Sequence, residues 1–166
     1  MVAADATVPS SDSPTRMRRH KGDFMSPETR SRVMSKIRGK DTGPERAVAD
    51  GLSALGLTWE PHARDLPGRP DFVFRDRKVA VFVDGDFWHG WHFPTWRDKL
   101  SPRWEEKIEA NRRRDARNAR RLRRSGWQVV RLWEHQVVQD LPACIARVTS
   151  RLEKAAAGAA APGLSG

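Results

Sequence analysis

The chain has a single cysteine, Cys144, among its 166 residues. One thiol can form neither an intrachain disulfide nor a cysteine-rich zinc site. No apolar run approaches twenty residues, so no segment is expected to cross a bilayer as a helix. No apolar stretch follows the N-terminal charges, so a secretory signal is not expected either, and the cytoplasm is the expected location. Tyrosine is absent while tryptophan occurs seven times. Acidic residues are outnumbered: Asp and Glu total 21 against 31 Lys and Arg, for a net charge of +10. Such an excess favours a polyanionic partner through phosphate neutralisation and counterion release. Charge alone would suit a ribosome-associated protein equally well.

The length fits one domain. Residues 1–23 are expected to form a disordered arm, Ala- and Ser-rich at first and made basic by Arg16, Arg18, Arg19 and Lys21. The working domain is expected over residues 24–154, followed by an Ala/Gly-rich tail, 155–166. Ser26-Pro27 has the form of a helix start, and Thr42-Gly43-Pro44-Glu45 has the capping-box pattern of a second. Val48, Leu52 and Leu55 form that helix's apolar stripe, and Gly56 stops it. Phe72 to Phe74 predicts a short strand. Val79 to Val83 is continuously apolar, which predicts a strand buried on both faces. Trp104 to Arg124 predicts a long helix with Trp104, Ile108, Ala119 and Leu122 on one stripe, shared by Asn111 and Asp115. Gly126 ends it, Trp127 to Trp133 predicts a strand, and Asp140 caps a last helix. The fold class is α/β, a mixed central sheet flanked by helices.

Two segments concentrate the chemistry: Pro67-Gly68-Arg69-Pro70-Asp71 and Val83-Asp84-Gly85-Asp86-Phe87-Trp88-His89. Asp71 sits at the mouth of one predicted strand and Asp84 at the end of the next, thirteen positions on. A hairpin can bring both carboxylates near one point. Phosphodiester hydrolysis at neutral pH uses divalent cations, and Mg²⁺ takes oxygen ligands. Asp71 and Asp84 are thus candidate ligands, and His89 is a candidate general base. Two aspartates flanking a buried hairpin would look the same if they only shaped its turns.

The chain resembles the very short patch repair (Vsr) mismatch endonucleases, within the restriction-endonuclease-like, PD-(D/E)xK group. The resemblance rests on Met34 in an Arg-Ser-x-x-Met setting, Asp41-Thr42-x-x-Glu45, and Leu66-Pro67-Gly68-Arg69-Pro70-Asp71-Phe72-Val73. It continues through Phe87-Trp88-His89, Glu106-Lys107-Ile108-x-x-Asn111-x-x-x-Asp115, Gly126-Trp127-x-Val129 and Trp133-Glu134. It implies nicking of the T-containing strand, 5′ to the T of a T:G mismatch left by deamination of 5-methylcytosine. It implies two Mg²⁺ ions held chiefly by Asp71 and by the backbone carbonyl of Val83. Glu45 would orient water at the metal, and His89 would assist the nucleophilic water. Asp84 stands where family members differ. Phe87 and Trp88 match residues that wedge into the base stack, with Met34 entering from the opposite groove. Lys107 and Asn111 match residues that read the mismatched bases. The implied partners are double-stranded DNA with a T:G mismatch and, functionally, a cytosine-5 DNA methyltransferase. The implied setting is a monomer at the bacterial nucleoid.

The chain departs from the family at its structural zinc. Asp86 and Trp91 stand where cysteines are expected, so no zinc is expected. Asp86, His92 and His135 are the donors from which such a site could still be built. Two other functions compete: a site-specific nicking nuclease without mismatch preference, and a DNA-binding module that has lost cutting.

Overall fold

A computed structural model describes residues 42–160, with side chains through Gly158. Met34, the basic arm and the helix expected from Ser26-Pro27 lie outside the described residues. The first described helix, α1 (Gly43–Ala54), starts where the capping pattern places it. Thr42 is its N-cap and accepts a hydrogen bond from the Glu45 amide. A two-residue strand β1 (Glu60–Pro61), β2 (Phe72–Phe74) and β3 (Val79–Asp84) form an antiparallel meander. A short helix α2 (Phe93–Trp96) and a 3-10 turn (Arg97–Lys99) then lead into the long α3 (Pro102–Arg124). The chain returns as β4 (Gln128–Trp133), parallel to β3, and ends in α4 (Glu134–Gln139) and α5 (Leu141–Ala160).

The sheet order is β1-β2-β3-β4. Parallel pairing of β3 with β4 requires a long crossover, and α3 provides it. The pleat sorts side chains to two faces. Phe72, Phe74, Val79, Val81, Val130 and Leu132 pack against α1 and α5 through Val48, Leu52, Ile145, Val148 and Leu152. Phe82, Asp84, Val129 and Arg131 face the other way, toward Asp115, Asn118 and Ala119 of α3. This is the expected mixed sheet flanked by helices.

Three short elements, β1, α2 and α4, are unannounced by the sequence pattern. Ala155 to Ala160, assigned by composition to a frayed tail, instead continue α5. Alanine has the highest helix propensity, and Ala155 also packs at the margin of the core.

The loop after β3 is fixed by close packing at Gly90, where φ is +68°. A Cβ there would lie 2.6 Å from Cδ of Arg112 and 3.1 Å from Cγ2 of Ile108. The loop therefore presses its backbone onto α3, which brings the neighbouring His89 to that helix.

Candidate active site

Three elements converge at the mouth of β2. Asp71 is joined to β3 by its own carboxylate: Oδ2 accepts the Val83 amide at 2.7 Å. Glu45 arrives from the first turn of α1, and its Oε1 accepts the Thr42 hydroxyl at 3.0 Å. The capping role and the site role of Glu45 are thus compatible. His62 follows β1 at φ +49°, a left-handed conformation costing roughly 1–2 kcal/mol in a non-glycine residue. Its Nδ1 lies 3.6 Å from Oδ1 of Asp71. Each of Glu45, His62 and Asp71 offers one ligand atom, all within 4.8 Å of one another. The donor set fits a divalent cation: two carboxylates supply oxygen, and the imidazole can add nitrogen or hold Asp71 in place.

The electrostatics fit a cation too. Burial pushes the Asp71 carboxyl up to about 7, and Glu45 and Asp84 add to the rise. The Val83 amide and His89 oppose it only in part. A positive ion would favour the ionised form that burial disfavours.

A second cluster lies on the α3 side of the sheet. His89 Nδ1 is 2.5 Å from Oδ2 of Asp115. Asp84, expected beside Asp71 as a ligand, is placed otherwise. It is 2% exposed and gripped through two oxygens by Arg131, at 2.5 Å from Nε and 2.8 Å from Nη2. The reason is the β3–β4 register, which pairs Phe82 with Arg131 and lets the guanidinium reach one step along to Asp84. Asp84 also stands 3.3 Å from His89 Nδ1, and Arg131 Nη2 stands 3.4 Å from Asp115. Burial works against the charge on Arg131, but Asp84 and Asp115 outweigh it and hold its pKa above the ordinary value. Burial would likewise raise Asp115. The hydrogen bond and charge of His89, with Arg131 and Arg114, hold it below the ordinary carboxylate range.

The third group is aromatic. Phe87 stacks on Trp96 with ring centroids 5.6 Å apart, and Trp88 meets Trp104 at 5.5 Å. Lys107 Nζ lies over the Trp88 ring at 4.9 Å, and the Asn111 amide donates to the Trp88 carbonyl at 3.2 Å. Four of the residues expected to meet DNA are therefore adjacent. Phe87 and Trp88 are half-buried rather than projecting, and among the described residues the buried Trp88 indole N–H has no hydrogen-bond partner.

Asp86 and His135 are tied to each other, Oδ1 to Nδ1 at 2.7 Å, and Asp86 also accepts the His135 amide at 3.2 Å. Trp91 packs on Trp133 at 4.8 Å and on His135 at 4.7 Å. These contacts join the loop after β3 to the start of α4. Purified protein is therefore expected to melt cooperatively at the same temperature with and without a zinc-selective chelator, since zinc that carried folding energy would be missed on removal. Stoichiometric zinc, or a large downward shift on chelation, would contradict this.

Sequence reasoning paired Asp71 with Asp84 and missed His62 and Arg131. Asp115 was recognised by its place on the α3 stripe, but not as the partner of His89.

A mixed sheet with a carboxylate cluster at its mouth and a strongly basic helix alongside has the restriction-endonuclease-like fold. The catalytic domain of homing endonuclease I-Bth0305I shares this fold. Its TM-score is 0.50 at 18% identity, over 69% of this chain and 98% of that domain. The family model described as DNA mismatch endonuclease Vsr matches residues 22–95. Type II nicking enzyme V.XorIIP of Xanthomonas oryzae pv. oryzae is 41% identical over 136 residues, spanning 79% of this chain and 97% of that protein. Type II nicking enzyme V.NmeDIP of Neisseria meningitidis serogroup C is 40% identical, over 76% and 87%. DNA mismatch endonuclease Vsr of Escherichia coli K12 is 38% identical, over 68% and 73%. The chain belongs to the Vsr endonuclease family and is a DNA-nicking endonuclease. Among the described residues, no helix is long and apolar enough to cross a membrane.

Proposed function

We propose that this endonuclease is Mg²⁺-dependent and nicks the T-containing strand 5′ to the T of a T:G mismatch derived from 5-methylcytosine. The observation that carries the reading is the adjacency of Phe87, Trp88, Lys107 and Asn111 to one another and, through the chain, to His89. A residue that tests the base stack is thereby one peptide bond from the residue that handles the attacking water.

Asp71 and Glu45 would hold the metal, with the Val83 carbonyl as a further oxygen donor and His62 steadying Asp71. A bound divalent ion would supply Lewis-acid stabilisation of charge at the scissile phosphate. His89, oriented through Nδ1 by Asp115, presents Nε2 as the base that accepts the water's proton. Asp84 anchors Arg131 and is not a ligand in this reading. The enzyme acts as a monomer on double-stranded DNA at the bacterial nucleoid, alongside a cytosine-5 DNA methyltransferase whose product is the source of the lesion.

Wedging by Trp88 fits its orphaned N–H. A buried donor without a partner costs roughly 1–3 kcal/mol, a cost that leaving the aromatic cluster relieves. Base–aromatic stacking contributes about 1–3 kcal/mol. Trp88→Ala is therefore expected to lower affinity for T:G duplexes by roughly ten- to a hundredfold, while matched-duplex binding, carried by the basic surface, changes little. Titrating both duplexes and following the melting temperature of the same variant checks this. A lower melting temperature with T:G preference intact would sink the wedge.

The names of the nicking-enzyme relatives favour a second reading, site-specific nicking without a mismatch requirement. Nicking of otherwise identical T:G and T:A duplexes decides between the two.

A further inference from the structure

A cavity of about 330 Å³ opens beside His89, on the α3 face of the sheet. Its catalytic wall is the network already described, in which Arg131 pairs with Asp84 and Asp115, and His89 hydrogen-bonds to Asp115. Its remaining polar walls are Arg69, Arg114 and Asn118, over a floor formed by Phe82. Among the described residues, neither the Arg69 guanidinium nor the Asn118 amide hydrogen-bonds to a protein group. Among those residues, the one ion pair of Arg114 is a long contact with Asp115, at 3.5 Å.

The walls are built, not incidental. Gly68 has φ +84°, and a Cβ there would meet Cε1 of Phe82 at 3.2 Å and Cβ of Asn118 at 3.3 Å. The loop before Asp71 thus presses directly onto α3. Arg69 is held next to it at φ +54°. Arg69 precedes the metal-cluster residue Asp71 by two positions. Asn118 follows the His89 partner Asp115 by three, which puts the two on one helix face.

We propose that this cavity is a second phosphate subsite, in which Arg69 and Asn118, with Arg114 at the rim, hold a phosphate neighbouring the scissile one on the nicked strand. It rests on the nuclease reading of Asp71 and His89 and adds a positioning element to it. Contacts to phosphate set the register of a duplex without reading sequence. A phosphate held here would place the next linkage between His89 and the Asp71 cluster. Arg69 suits this task because its planar fork can take two phosphate oxygens at once.

The test couples one side chain to one phosphate. T:G duplexes carrying a single uncharged methylphosphonate are prepared at each linkage within three nucleotides of the nick. With wild-type enzyme and Mg²⁺, one flanking position is expected to raise the half-saturating DNA concentration at least tenfold. In Arg69→Ala the same substitution should change it less than twofold, because the contact is already gone. The maximal single-turnover rate of Arg69→Ala should stay within a few-fold of wild type, and its salt-dependence slope should fall by about one. Arg69→Lys should recover part of the affinity. Asn118→Ala, read in the same scan, covers the case in which Arg69→Ala melts early. If both variants respond additively to methylphosphonate at every position while wild type nicks normally, the subsite is wrong and the nuclease reading stands. Failure of wild type to nick the unmodified duplex, whether T:G or T:A, would instead remove the nuclease reading on which it rests.

Discussion

Asp71→Asn is expected to abolish nicking and at the same time to stabilise the metal-free protein. Losing the central carboxylate of the Glu45–His62–Asp71 cluster removes the metal's main anionic ligand. The expected fall in rate is on the order of a thousandfold or more. The stability change follows from burial. The Asp71 carboxyl sits at about 7 in the folded chain against an ordinary 3.8. The folded state therefore binds this proton more tightly than the unfolded state does. Stability from this group is fully present below about pH 4 and is lost as pH rises to about 7. At 1.36 kcal/mol per pH unit, that window corresponds to an upper bound of about 4 kcal/mol. An amide cannot ionise, so in chelator at pH 8 the variant should melt on the order of 5 °C above wild type. Near pH 4 the difference should vanish. Added Mg²⁺ should raise the wild-type melting temperature and leave the variant unmoved. A variant that nicks within a few-fold of wild type would show that the metal is held elsewhere.

His89→Ala should cost roughly 10²–10⁴-fold in the single-turnover nicking rate at saturating DNA, the range for loss of a general base. Asp115→Asn should fall in the same range for a different reason. The Asp115 carboxylate accepts from Nδ1 of His89, which leaves Nε2 as the free lone pair. An Asn amide can instead donate to Nδ1, which favours the opposite tautomer. Both variants should bind T:G duplexes within a few-fold of wild type. Since Asp115 also faces Arg131 at 3.4 Å, its variant is melted in parallel to separate tautomer from fold. An Asp115→Asn enzyme of near-normal rate would leave Asp115 as packing only.

What was legible in the sequence is what local interactions decide. Thr42-Gly43-Pro44-Glu45 opens α1 because a hydroxyl caps free amides and a proline loses nothing there. Val79–Val83 gave β3 because an unbroken apolar run belongs inside a sheet covered on both faces. Asp71 stood out by its place at a strand mouth and His89 by following the next strand, whereas the site role of Glu45 came only from the family resemblance. What was not legible depends on chains meeting across long separations. Arg131 is 47 residues from Asp84, and only the parallel register shows that the two meet. His62 follows a two-residue strand, too short to leave any periodicity, so nothing local marked it as more than an exposed histidine. Asp86 and His135, weighed as donors of a zinc site, lie 2.7 Å apart across 49 residues of sequence.

The parallel pairing of β3 with β4 also governs when the enzyme can first cut during its own synthesis. His89 meets Asp115 across 26 residues and Arg131 across 42, and α5 must then cover β4. Contacts so distant in sequence form late and slowly, because loop closure precedes their reward. On a ribosome, which releases the chain N-terminus first, the Asp71 half emerges well before Arg131. Until then Asp84 has no counterion and the sheet lacks its last strand. A growing or C-terminally truncated chain can carry the metal cluster and the basic helix while the histidine network is still incomplete. If His89 is the base, cutting would wait until almost the whole chain has been made.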